Sequence, residues 1–374
     1  IWSKYVFNMK HYHVVDHVLL QDKYLKNLPI VKIEAARGCI GRCHFCTQNY
    51  CLNKKRIVWR GRNIQDVFEE IVHTYERYGI IAFLINDSAF ESPGTIGKQR
   101  IDAFCDLLLQ YPQKFTINFN TRVKGFTEKD QPLLKKMKES GFLFVLLGIE
   151  SFDDNDLIYY NKRVSKDENI ATLELLLKND FYIDCGFINL NPLSTVESIQ
   201  TNYTFSKKYG FFYDYHFNTR LSVNYGSEMY TRTENMGLLK DTFSYLNTFD
   251  YNYLHPDAGH IAERLGAANR LSQYYTEEAI YLDFRSCFLS VMNVYDEGAV
   301  HNFQKATRPI IKDLRDIKFE MFFELIFTET DVHKIMKKYN PLIRKCYSDI
   351  QVVMRKLSKD KRYLHYLANK TGRR

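Results

Sequence analysis

Between residues 31 and 224, short apolar runs alternate with stretches whose apolar positions recur every three or four residues. The runs "IVKIEAARGC", "IIAFLIND", "FTINFNTRV", "FLFVLLGIES", "YIDCGFINLNP" and "YDYHFNTRLSV" read as strands. Between them, "NIQDVFEEIVHTYERYG", "IGKQRIDAFCDLLLQYP", "EKDQPLLKKMKESG", "SKDENIATLELLLKN" and "TVESIQTNYTFSKKYG" carry helical spacing. Asn63 is a candidate amino-terminal cap, and Gly79 and Gly141 are helix stops. Strand and helix in strict alternation predict repeated βαβ units and a parallel sheet. Right-handed crossovers then lead to either a barrel or a doubly wound sheet.

The flanks differ from this middle. Residues 1–30 are mixed and end in "DKYLKNLP", which reads as a linker or extension. The repeating core is expected to run from 31 to 235. Residues 236–374 begin aromatic and loop-like, then read as mostly helical, as in "IAERLGAANRLSQYYTEEAIYL" and "DIQVVMRKLSKDKRYLHYLANK".

Candidate chemistry concentrates where strands end. In a βα barrel, reactive residues lie at the carboxy-terminal ends of strands and in the loops that follow. "RGCIGRCHFCTQ" follows the first strand and holds Cys39, Cys43 and Cys46. "NDSAF", "NTR", "GIES" and "NLNP" follow later ones. Three cysteines at this spacing arise by chance in about 0.004 of chains with this composition. Zinc sites usually draw on two pairs, and no second C-x2-C or H-x3-H follows at a suitable distance. A redox dithiol needs only two. Three thiolates on a tight loop suit three irons of a 4Fe–4S cluster and leave the fourth iron open. Gly38 and Gly41 let the backbone wrap such a group. The remaining cysteines have plainer readings. Cys105 and Cys185 sit in apolar patterns, Cys51 is a neighbour of the motif, and Cys287 and Cys346 stand alone. His11 and His13 read as exposed, and His44 as lining the cysteine loop.

Composition narrows the classes. The 374 residues are 45% hydrophobic, with 27 Tyr, 27 Phe, 17 Gly and only 8 Pro, which disfavours long disordered tracts. Eight cysteines are too sparse for a disulfide scaffold, so a reducing cytoplasm is the default expectation. No uncharged apolar run reaches the ~18 residues of a membrane span, and the opening residues do not read as a signal peptide. Ile1 in place of Met reads as a processed form or a fragment. The net charge of +8 gathers late. It reads as a solvated helical surface, with RNA or an acidic peptide as the alternative partner.

"CIGRCHFC" resembles the C-x3-C-x2-C motif of the radical S-adenosylmethionine (radical SAM) superfamily, including the aromatic Phe45 before its last cysteine. "INDSAF", "NTRV", "GIES", Asn161-Lys162, "GFINLNPLSTVES" and "LSVNYGSEMY" resemble that superfamily's later strand motifs, in the same order. Leu190 and Asn191 stand where many members carry Gly and an apolar residue. The resemblance covers residues 31 to about 235 and implies an α/β fold, a partial (β/α)6 TIM-type barrel with a helical carboxy-terminal region. It implies that Cys39, Cys43 and Cys46 ligate a 4Fe–4S cluster. Phe45, Asn86, Asp87, Arg122, Glu150 and Ser151 would bind S-adenosyl-L-methionine. No catalytic residue is implied. The implied activity is reductive cleavage of S-adenosylmethionine to a 5′-deoxyadenosyl radical, by a transferase that methylates or otherwise modifies a peptide or natural product. The preamble, the fifth strand and the helical tail most resemble members whose core follows a cobalamin-binding domain. Cobalamin is therefore a further cofactor candidate, and residues 1–30 a remnant of the junction. A small-molecule or peptide substrate and a reducing donor such as flavodoxin or ferredoxin are the implied partners. The competing expectation is a zinc- or cluster-bearing RNA-binding module.

Overall fold

A computed structural model describes residues 30–47, 59–210, 217–243, 248–272 and 297–357. They divide into two compact units: one within 1–149, 157–186 and 226–228, the other within 150–156, 187–225 and 229–374.

The first unit is built on a parallel sheet. Its first strand, β1 (Val31–Ile33), is followed by a short pair, β2 (Ala36–Gly38) and β3 (Trp59–Gly61). Helix α1 (Ile64–Tyr78) leads to β4 (Ala82–Ile85), α2 (Gly94–Gln110) to β5 (Thr116–Arg122), and α3 (Gln131–Glu139) to β6 (Phe142–Glu150). After the short α4 (Asp154–Tyr159), α5 (Lys166–Lys178) leads to β7 (Tyr182–Phe187). The sheet order is β1-β4-β5-β6-β7. Each crossover therefore steps in the same direction. A doubly wound sheet would reverse its order at a switch point, so this order builds the wall of a barrel.

The helix ends obey the expected chemistry. Asn63 accepts the Gln65 amide at 3.2 Å, and Gly79 closes α1 in the left-handed conformation. Ser165 and Glu168 form a reciprocal capping box on α5. The strands bury their apolar faces in an aromatic core that includes Phe83, Phe90, Phe104, Phe119 and Phe142. Phe90 stacks on Phe142 at 5.8 Å, and Phe119 meets the same ring edge-on at 5.4 Å. Each such ring contributes about 1.5–3 kcal/mol by leaving water.

The second unit contains α6 (Val196–Tyr209), a small antiparallel sheet and three helices. The small sheet joins β8 (Val223–Asn224), β9 (Leu239–Phe243) and β10 (Thr248–Tyr251) in the order β8-β10-β9. Helix α7 (Glu228–Asn235) separates the first two. Helices α8 (Pro256–Leu271), α9 (Glu297–Phe327) and α10 (Val332–Leu357) pack with Tyr203 and Phe217 into one apolar cluster. Arg264, buried on α8, donates to the Leu325, Glu324 and Thr330 carbonyls and so satisfies the end of α9.

The stretch read as a sixth strand makes one parallel bridge among the described residues, Leu190 with Arg220, and its last residue, Val223, opens β8 of the antiparallel sheet. Its partner segment turns away directly afterwards. The Asn191 amide goes to Ser194 Oγ at 2.8 Å, and Pro192 has no N–H to continue a ladder. No described helix is long and apolar enough to cross a membrane.

Candidate cofactor site

The register of the parallel strands sets Ile33 opposite Ile85 and Ile85 opposite Phe119, so β1 and β4 end together while β5 runs on to Arg122. The loop bearing Cys39, Cys43 and Cys46 leaves from this edge. Its neck is the β2–β3 pair, with Ala36 opposite Gly61, Arg37 opposite Arg60, and Gly38 opposite Trp59.

Buried side chains saturate the backbone just before the neck. Asp87 Oδ1 accepts the Ala35 and Ala36 amides, each at 2.8 Å. The Ala35 carbonyl accepts Arg100 Nη2 at 2.7 Å and the Arg62 amide at 2.9 Å. Arg62 Nη1 reaches the Glu34 carbonyl and pairs with Glu70, both at 2.7 Å. Burial pushes the Asp87 carboxyl up to about 7, against the pull of the two amides.

The loop docks on the segment after α4. The His44 amide donates to the Tyr160 carbonyl at 2.9 Å. His44 Nδ1 lies 3.0 Å from the Tyr159 carbonyl, and since a carbonyl only accepts, Nδ1 carries the proton. Asn161 Nδ2 donates to the Arg42 carbonyl at 2.8 Å, with the Asn161 backbone at φ 50°. The Phe45 ring meets Tyr160 edge-on at 5.7 Å.

None of the three cysteines is in a disulfide. The Gly41 amide donates to Cys39 Sγ at 3.3 Å. A Cβ at Gly41 would lie 3.3 Å from Cys39 Sγ, 4.0 Å from Cys43 Sγ and 3.9 Å from Arg122 Cδ. A side chain at Gly41 would therefore crowd the Cys39 sulfur. Burial raises the Cys39 thiol, while the nearby Arg122 charge lowers it. Among the described residues, no three His, Cys, Asp or Glu side chains converge on a single metal-ion position. Three soft sulfur donors on one short loop are a donor set that suits iron–sulfur chemistry.

The other expected site residues take different positions. Asn86 is exposed at the end of β4, its amide bonded to the Ile33 carbonyl at 2.8 Å. Arg122 ends β5 and gives Nε to Glu91 Oε1 at 3.0 Å. Glu150, in the second unit, closes β6 at φ 69°, a left-handed conformation that costs a non-glycine residue of order 1–3 kcal/mol. Ser151 is fully buried and bonded to Asp156 at 2.8 Å and Asn202 at 3.0 Å. Asp87 is equally buried and engaged with backbone. Cys105 and Cys185 are core residues, and burial pushes the Cys105 thiol up to about 12. Cys51, Cys287, His11 and His13 lie outside the described residues.

Glu91 went unnoticed in the sequence. It is 1% exposed and also accepts Thr121 Oγ1 at 2.9 Å. The available signal was an acid four residues beyond Asp87, in the loop beside the strand that ends in Arg122. Tyr159 and Tyr160, the loop's docking partners, were not singled out in the sequence either.

No protein-family model matches the chain. Over 195 residues it is 29% identical to an uncharacterized methyltransferase of Pyrococcus horikoshii, covering 51% of this chain and 40% of the relative. Over 173 residues it is 29% identical to the anaerobic magnesium-protoporphyrin IX monomethyl ester cyclase of Cereibacter sphaeroides, covering 45% and 26%. The cytidylyl-2-hydroxyethylphosphonate methyltransferase of Streptomyces wedmorensis is 25% identical over 224 residues, covering 56% and 38%. Among solved structures, the cobalamin-dependent S-adenosylmethionine radical enzyme OxsB, with aqua-cobalamin and S-adenosylmethionine bound, aligns with a TM-score of 0.59. That alignment covers 91% of this chain and 58% of OxsB at 16% identity. The chain is similar to these proteins over the stretches given. Its fold is that of this S-adenosylmethionine radical enzyme, with the barrel wall described above. It spans between 26% and 40% of the length of these curated relatives.

Proposed function

We propose that this chain is a radical SAM enzyme that methylates or otherwise modifies a small-molecule or peptide substrate. The observation that carries the reading is the docked loop at the end of β1 and β2. It holds three thiols outside any disulfide, with the sulfurs of Cys39 and Cys43 and the Arg122 side chain drawn close to Gly41. Cys39, Cys43 and Cys46 would hold three irons of a 4Fe–4S cluster, with S-adenosylmethionine on the fourth. When bound, this pair supplies reductive cleavage of S-adenosylmethionine to a 5′-deoxyadenosyl radical.

The chain's own residues bind and orient. The Gly41 amide bonds the Cys39 sulfur, which tunes such clusters. His44, Asn161 and the Phe45–Tyr160 contact hold the loop against the barrel. Arg122 offers a guanidinium to the methionyl carboxylate, and exposed Asn86 offers a polar contact to the amino group. Glu150 ends β6 in the left-handed conformation that often marks functional sites. Methyl transfer is supported by the names of two relatives, and use of cobalamin by the fold match to OxsB. A flavodoxin- or ferredoxin-type donor would deliver the electron.

The test is electron paramagnetic resonance of anaerobically reconstituted, dithionite-reduced protein, with and without S-adenosylmethionine. We expect a reduced 4Fe–4S signal that shifts when S-adenosylmethionine is added. Cys43→Ala should lose the signal and most of its iron while circular dichroism remains that of a folded barrel. Zinc in place of iron, or unchanged iron in Cys43→Ala, would overturn the assignment.

A further inference from the structure

We propose that Glu91 is the positioning residue for Arg122, fixing its guanidinium against the cysteine loop so that its outer edge can take the carboxylate of S-adenosylmethionine. The inference rests on the function proposed above.

The geometry is one-sided. Glu91 Oε1 takes only Nε of Arg122, at 3.0 Å, and Oε2 takes Thr121 Oγ1, at 2.9 Å. A structural arginine–carboxylate pair is often bidentate and uses an Nη group as well. Here no described residue is hydrogen-bonded to either Nη group. The arginine side chain is 28% exposed, whereas the glutamate side chain is 1% exposed. One end of the pair is therefore locked and the other presents unused donors.

The lock is built into the fold. A Cβ at Gly125 would sit 2.8 Å from Glu91 Cγ and 2.6 Å from Thr121 Oγ1, so the turn after β5 closes tightly over the carboxylate. The Glu91 carbonyl is equally hemmed in, since a Cβ at Gly97 would lie 2.2 Å from it. A carboxylate enclosed this way cannot leave its arginine without being stranded in a dry site. The aliphatic part of Arg122 meanwhile comes near Gly41: a Cβ there would lie 3.9 Å from Arg122 Cδ, and within 4.0 Å of the Cys39 and Cys43 sulfurs. A guanidinium fixed in this way would meet a carboxylate without first losing side-chain freedom.

The test compares Glu91→Ala, Glu91→Gln, Arg122→Ala and the double variants in the full, anaerobically reconstituted chain. The readouts are iron per chain, the reduced cluster spectrum and the Kd for S-adenosylmethionine by equilibrium dialysis. Glu91→Ala should bind about tenfold more weakly, close to Arg122→Ala, with iron loading unchanged. The double variant should be no weaker than Arg122→Ala alone, because both changes remove one contact. Glu91→Gln keeps an oxygen for Nε and should stay within about threefold of wild type, its small effect vanishing in the Arg122→Ala background. That cycle decides the matter even if Glu91→Ala does not fold. Wild-type affinity in Glu91→Ala, or losses that simply add, would overturn the inference while leaving the proposed function standing. A wild-type chain that binds no cluster or no S-adenosylmethionine would overturn both.

Discussion

Replacing Asp156 by Asn should stabilise this protein above pH 6 and leave it unchanged near pH 4. Asp156 lies on α4 and is 4% exposed. Its Oδ1 accepts Asn191 Nδ2 at 2.7 Å, and its Oδ2 lies 2.8 Å from Ser151 Oγ. Ser151 Oγ is also 3.0 Å from Asn202 Oδ1, and it accepts the Asp153 amide at 3.0 Å. That Asn202 atom accepts the Phe152 amide at 2.7 Å, so it is an oxygen. The serine has one proton and faces two oxygens. With Asp156 ionised, one of those contacts lacks a proton. With Asp156 protonated, it donates to Ser151, Ser151 donates to Asn202, and every contact is met. Burial pushes the Asp156 carboxyl up to about 6 from the usual 3.8, against the bonds from Ser151 and Asn191. A raised carboxyl means that the folded state holds the proton more tightly than the unfolded one. Stability is therefore full below about pH 4, falls as the pH rises to about 6, and is level above that. Two pH units of displacement correspond to about 3 kcal/mol at pH 7. Asn in this place presents an NH2 to Ser151 and an oxygen to Asn191, which keeps the bonds without the charge. At about 2–4 °C per kcal/mol, the melting temperature should rise by several degrees at pH 7–8 and by nothing near pH 4. Calorimetric scans of both proteins across that range measure it. A variant that melts lower by the same margin at every pH would refute the reasoning, because it would show that the network depends on an ionised carboxylate.

Two further substitutions probe the loop and the sheet. Gly41→Ala puts a methyl 3.3 Å from Cys39 Sγ, so iron per chain after reconstitution should fall well below wild type while circular dichroism is unchanged. Gly141→Ala meets both a backbone at φ 101° and the Phe115 carbonyl at 2.0 Å. It should cost about 2–4 kcal/mol, read as a large fall in the temperature at which the parallel sheet unfolds.

The alternation of strand and helix was legible because each βα unit satisfies its own rules locally. Asn63 caps where an Asn precedes an apolar period, and β6 is an apolar run between Gly141 and "ES". The three cysteines were legible because their spacing is rare. What could not be read was the direction in which polar side chains turn at the strand ends. Asp87, in a segment resembling a cofactor contact, turns inward onto the Ala35 and Ala36 amides. Ser151 turns into the Asp156 network, and Glu91 turns toward Arg122. One-dimensional order does not encode these orientations, because they depend on which backbone groups lie unpaired across the fold. The neck of the cysteine loop shows why they matter. Its carbonyls and amides at Glu34, Ala35 and Ala36 are met by Arg62, Arg100 and Asp87, which come from three different places in the chain. The entry to the loop is therefore set by side chains of the barrel itself, drawn from after β3, after β4 and from α2.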